Sequence, residues 1–409
     1  MSNDFSYNGI SSVAIHAGNK NFSDSSHLIP IYATSTFTFD TAEQGMERFS
    51  GKQEGYIYSR WGNPTFKVAE ETIAALEAFK LKDETGKPLQ LKAFLHASGQ
   101  AAMTTLLMCN LKTGDKVLSH YSLYGGIHEL MHKVLHQNGI EPVIVDMRDL
   151  NKVEDAFKQH SQIKLVHIET PANPTIQCVD IEAVTKLAKQ YNKIVSVDNT
   201  FATPYLQQPF KYGVDFVMHS TTKFLNGHGT AIGGVLLGKD IPFMNDKAYK
   251  WYKLLGGNSN PFDAFLLIQG MKTLEIRMDR HCSNAVKVAN YLSQHKAIAH
   301  VNYNGLASHP DHAVAEKQML HPGAMMSFEL KGGLEAGKKF IDRLQMCVRA
   351  VSLGTVDTLV SHPASMSHYG VSREERLQFE ITDGLIRMST GMENIEDILQ
   401  DLEQALRDL

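Results

Sequence analysis

Cysteine is scarce in this chain, and the four present, Cys109, Cys178, Cys282 and Cys347, stand singly with no C-x-x-C pair. That pattern argues against a disulfide framework and against a metal site, and leaves the thiols as small buried hydrophobes. No apolar run is long enough to cross a bilayer, and residues 1–9 have neither the basic nor the apolar region of a signal peptide. A cytoplasmic protein is expected. The chain also lacks a basic block, and its net charge is only −4, so nothing draws it to nucleic acid or to anionic lipid. The expected partner is a small molecule. Internal repeats and low-complexity tracts are missing as well, which excludes solenoids and disordered arrays.

What is there is the composition of a folded globular protein. Hydrophobic residues make up 43% and charged residues 21%, and 409 residues are too many for one ordinary core. Seven short runs rich in β-branched and aliphatic residues, at 93–97, 117–119, 142–145, 164–168, 194–197, 216–218 and 234–237, read as buried strands. Helical patterns at 100–111, 126–137, 152–160 and 181–191 lie between them. Successive β-α units of this kind predict an α/β fold with a mostly parallel, doubly wound seven-stranded sheet. Residues 1–66 read as an extended arm reaching a neighbouring subunit and 67–262 as the main domain. Residues 263–409 read as a smaller α+β domain that opens on a long helical stretch through Leu292 and ends on an amphipathic helix at 394–406. The polar piece 80–90 reads as a surface loop.

Four features fall at the ends of predicted strands, where ligands collect in open α/β sheets. The first is His219-Ser220-Thr221-Thr222-Lys223, after an apolar strand. Hydroxyl groups that can bind phosphate stand beside a lysine that burial would leave partly neutral, and a neutral amine attacks an aldehyde. An isolated lysine is ordinarily a solvated surface charge, but the apolar strand before it and the glycines after it oppose that reading. Asp198, at the end of another strand, suits a protonated pyridine nitrogen, and serves equally as a cap on the turn through Asn199 and Thr200. Ser98-Gly99-Gln100 opens a helix whose amides favour an anion. Tyr124-Gly125-Gly126 opens another, with an aromatic ring able to stack on a flat cofactor and a phenol able to exchange protons. The competing pattern, Gly227-His228-Gly229-Thr230-Ala231-Ile232-Gly233, is not a dinucleotide loop, since it runs into a strand and not into a helix.

Taken together these residues resemble the Cys/Met-metabolism family of pyridoxal 5'-phosphate (PLP) enzymes. The likeness extends to 56–65, 169–174, 198–204, 352–354 and 385–391. The resemblance implies an aminotransferase-like fold of type I, with Lys223 as Schiff-base lysine, Asp198 on the pyridinium and Tyr124 stacked on the ring. It implies that Ser98, Gly99, Gln100, Ser220 and Thr222 hold the phosphate. Tyr58 and Arg60 would reach the cofactor of the adjoining subunit in a homo-oligomer, usually a tetramer. Arg387, helped by Asn173 and the Ser352 backbone, would bind the substrate carboxylate.

The implied reaction is a carbon–sulfur lyase step, α,γ-elimination from a sulfur amino acid to 2-oxobutanoate, ammonia and a thiol. Lys223 is the expected base and Tyr124 the proton donor. Positions bearing on the branch disagree. Gly126 stands where methionine γ-lyases usually have cysteine, and Val351 where cystathionine γ-lyases often have glutamate. Segments 227–234 and 260–265 look like the O-acetylhomoserine sulfhydrylases, which perform γ-replacement. Segments 36–45, 277–282 and 363–368 look closest to methionine γ-lyase, which ranks first. An aminotransferase is the remote alternative.

Overall fold

The computed structural model describes residues 7–21 and 25–409. Part of the expected arm, residues 1–6 and 22–24, and with it most of the stretch read for a signal peptide, lies outside the described residues.

Six of the seven expected runs fall within strands of one sheet, and the seventh, 93–97, overruns its strand by Ala97. The strands are β1 (Lys92–His96), β2 (Lys116–His120), β3 (Glu141–Val145), β4 (Ile163–Glu169), β5 (Ile194–Asp198), β6 (Phe216–His219) and β7 (Gly234–Gly238). The spatial order is β1-β7-β6-β5-β4-β2-β3, with only β7 running against its neighbours. Alternate side chains supply two cores. Leu95, Leu118, Val166, Val195, Val217 and Val235 face one way, while Phe94, Val117, Leu165, Phe216 and Leu236 face the other. Burial on both faces explains why the strands read as continuous apolar runs. Other strands reach past those runs into His120, Glu169, Asp198 and His219, because the hydrogen-bonded ladder continues after the apolar pattern stops.

Two helical expectations need correction. The segment 126–137 is no single α-helix: one α-helical turn, Gly125–Glu129, widens into a π-helical stretch, Leu130–Leu135, and closes in a 3-10 turn, His136–Asn138. The long stretch from Pro261 is two helices, Pro261–Met271 and Leu274–Gln294, parted at Lys272 and Thr273. Arg277 explains the break. It is buried, and its guanidinium donates to Gly270 O and to Phe224 O, both at 2.8 Å. It thereby ties the helix end to the loop after Lys223. Gly227, at φ +72°, makes room for that guanidinium, since a Cβ there would lie 2.0 Å from Arg277 Nη1. The glycines after Lys223 therefore serve packing, in keeping with rejection of a dinucleotide loop.

The second sheet has order β10-β11-β12-β9-β8, formed by β8 (Ile298–Asn302), β9 (Met325–Leu330), β10 (Val348–Arg349), β11 (Leu359–Ser361) and β12 (Leu385–Ser389). Helices Gly333–Arg343 and Ile395–Leu406 cover one face, burying Phe328, Phe340, Ile386, Met388 and Leu402 together. Ile386 and Met388 point into that core, so the intervening Arg387 projects from the opposite face. Helix Leu274–Gln294 joins the two units: Leu274, Met278 and Cys282 lie in the large core, Ala285, Val288 and Leu292 in the small one. All four cysteines are buried and free. Among the described residues, no helix is long and apolar enough to cross a membrane.

Candidate active site

The C-terminal ends of β1, β2, β4, β5 and β6 share one edge of the sheet. Lys223 stands four residues beyond β6, and its Nζ donates to Ser352 Oγ at 2.9 Å. Burial, aided by the Arg387 charge, lowers its amine from the usual lysine value to about 8. An appreciable fraction is therefore neutral near physiological pH.

Asp198 and Glu169 end adjacent parallel strands in register. Asp198 Oδ1 accepts from Thr200 N at 2.9 Å and from the Thr200 hydroxyl, so the turn-capping reading is realised. Burial nevertheless raises the Asp198 carboxyl above its ordinary range, against the opposing pull of Thr200 and of the His219 charge. Thr200 Oγ1 in turn accepts from Ser220 N at 2.8 Å, joining the tip of β5 to the Lys223 loop.

Ser98 caps helix Gly99–Asn110 by accepting from Ala101 N at 3.1 Å. The amides of Gly99 and Gln100 precede the helix's own hydrogen bonding and are open to an anion. Gly99 lies against Ser220, and a Cβ on it would meet Ser220 Cβ at 2.9 Å. A cradle of amides and hydroxyls results. Thr222 is already engaged, since its hydroxyl donates to Gly233 O at 3.2 Å and accepts from Gly233 N at 3.0 Å.

Tyr124 is 49% exposed, with its backbone N–H donating to Glu169 Oε2 at 2.9 Å. Its ring rests over Gly126, where a Cβ would come within 2.7 Å of Tyr124 Cε1. Gln100 Nε2 donates to Gly126 O at 2.8 Å and holds the two helix starts together. Across the cleft, Arg387 donates through Nη1 to Asn173 Oδ1 at 3.1 Å and through Nη2 to the carbonyls of Val351 and Ser352 at 2.8 and 2.9 Å. Burial lowers its guanidinium to about 10, still fully charged at neutral pH. Lys223, Ser352, Arg387 and Asn173 are thus one connected group.

Tyr58 and Arg60 are tied elsewhere. Tyr58 bridges to Thr36, and Arg60 donates to Lys253 O while lying over the Tyr58 and Trp61 rings.

A family model described as "Cys/Met metabolism PLP-dependent enzyme" matches residues 11–407. The chain belongs to this family. The resemblance read in the motifs is borne out, and with it PLP as cofactor and the fold. The chain is 47% identical over 404 residues to an L-methionine gamma-lyase of Fusobacterium nucleatum subsp. polymorphum, covering 97% of this chain and 98% of that protein. It is 40% identical over 394 residues to a cystathionine beta-lyase of Coxiella burnetii, covering 96% of each. A crystal structure of cystathionine gamma-lyase from Lactobacillus plantarum complexed with L-serine superimposes with a TM-score of 0.87 at 36% identity, covering 97% and 98% of the two chains.

The site fits what the family's cofactor requires. PLP brings an aldehyde, a pyridine nitrogen and a phosphate. The site offers a partly neutral amine, a buried carboxyl with no direct ion pair among the described residues, and a cradle of unused amides. Three features escaped the sequence reading: Glu169, the Thr200 link, and the Ser352 side chain, of which only the backbone was expected. Glu169 was within reach, because it ends its strand as Asp198 does. The hydroxyl contacts have no sequence signal.

Proposed function

We propose that the protein catalyses α,γ-elimination of a sulfur amino acid, methionine first, to 2-oxobutanoate, ammonia and a thiol with uptake of one water. The observation that carries this reading is the sharing of Ser352. Its Oγ accepts from the Lys223 amine while its carbonyl accepts from Arg387, so base and carboxylate clamp converge on one turn. The name borne by the Fusobacterium relative supports the choice of substrate. Val351, exposed beside the clamp, presents no charge to the distal end of a substrate, which favours a thioether over a side chain ending in an ammonium.

In this reading Lys223 holds the cofactor covalently, Asp198 pairs with its pyridine nitrogen, and Tyr124 stacks on its ring. Ser220 and the amides of Gly99 and Gln100, in the helix capped by Ser98, hold the phosphate. Thr222 joins them by exchanging its bond to Gly233. PLP supplies an electron sink for negative charge left on substrate carbon. Arg387 orients the substrate carboxylate with Asn173 and the Ser352 backbone. Lys223, once free, takes the α-proton as a neutral amine. The exposed Tyr124 phenol delivers a proton to the departing sulfur.

We further assign residues 1–66 to an arm contacting a neighbouring subunit, 67–262 to the cofactor domain and 263–409 to the C-terminal domain. Tyr58 and Arg60 would complete the site of the adjoining chain in a cytoplasmic homotetramer. The exposed Met46 and Phe49 on the arm support a covering partner.

The test is to supply methionine, cystathionine, or O-acetylhomoserine with sulfide, and to measure 2-oxobutanoate, thiol and homocysteine. Methionine is expected to yield 2-oxobutanoate and methanethiol. Homocysteine formed from O-acetylhomoserine and sulfide, with no 2-oxobutanoate from any of the three, would replace elimination by γ-replacement.

A further inference from the structure

Glu169 is 5% exposed and ends β4 beside Asp198. Its two carboxyl oxygens serve two different loops: Oε2 accepts from Tyr124 N and Oε1 from Asn173 N, both at 2.9 Å. Each loop carries one wall of the cleft. Tyr124 presents its ring from one side, and Asn173 Oδ1 receives Arg387 Nη1 from the other. One rigid carboxyl plane therefore spans the two walls. Water could satisfy either amide separately, but two waters would let the loops move independently. A buried carboxyl beside another carboxyl is a costly choice for mere capping. Burial, then the Asp198 charge, raises Glu169 above the usual carboxylate range, and the two amide hydrogen bonds oppose that rise by favouring the ionised, two-acceptor form.

We propose that Glu169 is a positioning residue for the reaction, fixing the backbone under Tyr124 and the backbone under Asn173 at once and so setting the spacing between the stacking ring and the Arg387 clamp. The inference rests on the roles proposed above for Tyr124 and Arg387. Glu169 touches neither substrate nor cofactor in this scheme.

The discriminating variant is Glu169→Gln. It keeps shape and volume but offers one acceptor where two are needed, so one amide faces an NH2 donor. Losing such a bond is expected to lower kcat/KM about tenfold or more. Two further readouts separate positioning from plain structural support. Affinity of the apoprotein for PLP, followed by quenching of intrinsic fluorescence, is expected to weaken severalfold in Glu169→Gln and to hold in Asn173→Ala. In a double-mutant cycle on KM, Glu169→Gln is expected to have a smaller effect in the Asn173→Ala background than alone, since both act through Arg387. Effects that multiply independently, or a kcat/KM within twofold of the parent protein, would overturn the proposal. If Glu169→Gln does not fold, Glu169→Asp, too short to reach both amides, is read by the same criteria. Arg387→Lys serves as the control. If it leaves KM unchanged, the clamp assignment fails. If it raises KM while the Glu169 variants behave as the parent, only the positioning role fails.

Discussion

Ser352 Oγ accepts a hydrogen bond from Lys223 Nζ at 2.9 Å, across 129 positions of sequence. A turn of the smaller α+β unit is thereby docked onto the loop that follows β6. Burial at that junction is what lowers the lysine amine to about 8. The lowered amine is thus made by the closure of two units, and its properties should respond to changes on either side.

Covalent attachment of the cofactor is expected at Lys223. Reduction of the holoenzyme with borohydride should fix PLP on the peptide containing Lys223, and Lys223→Ala should abolish both the labelled peptide and turnover. A labelled peptide from another lysine would sink the assignment.

The rate of PLP capture by apoprotein should rise with pH and level off above about 8. The amine is protonated and unreactive below that value and neutral above it. The Arg387 charge contributes to the lowering, so Arg387→Met should move the midpoint upward. A midpoint that stays in place in the variant would rule out this coupling.

Gly126→Ala should impair the site without unfolding the protein. The new Cβ would sit 2.7 Å from Tyr124 Cε1 and 3.2 Å from Gln100 Nε2, so the exposed ring must swing away. We expect kcat to fall by an order of magnitude or so, with a melting temperature near that of the parent. Unchanged kcat would mean the ring position is unimportant.

Gly227→Ala should act on stability. Left-handed backbone and a 2.0 Å approach to Arg277 Nη1 combine there. A loss of about 1–3 kcal/mol is expected in chemical denaturation, with the chemistry of Lys223 disturbed only through its loop. Stability equal to the parent would show that Arg277 has room to withdraw.

Arg60→Ala and Lys223→Ala subunits, each inactive alone, should regain part of the activity when dissociated and reassembled together. With the site shared as proposed, a mixed dimer would contain one site with Lys223 from one chain and Arg60 from the other. No recovery in verified hybrids would refute sharing of the site.

Much of this architecture was readable without coordinates. Strands such as β6 and β7 are buried on both faces, so their apolar runs are unbroken and each was visible at its place. Asp198 and Lys223 stood out by their setting, each following an apolar strand with hydroxyl residues close by, although Asp198 read equally well as a turn cap. The helix breaks were not readable. Residues 126–137 keep a helical pattern while the backbone widens, and the interruption at Lys272 is enforced by Arg277, whose acceptors lie 7 and 53 positions away.

Sequence by itself determined the fold class, the seven-stranded sheet and the chemical types gathered at its edge, because periodicity and strand-end residues are local properties. Only tertiary structure decided which groups touch. Lys223 meets Ser352, Arg387 meets Asn173, and Glu169 meets the amides of both Tyr124 and Asn173. Those contacts depend on how strand ends and a second domain close over one another, and buried hydrogen bonds over such separations leave no periodic trace in the chain.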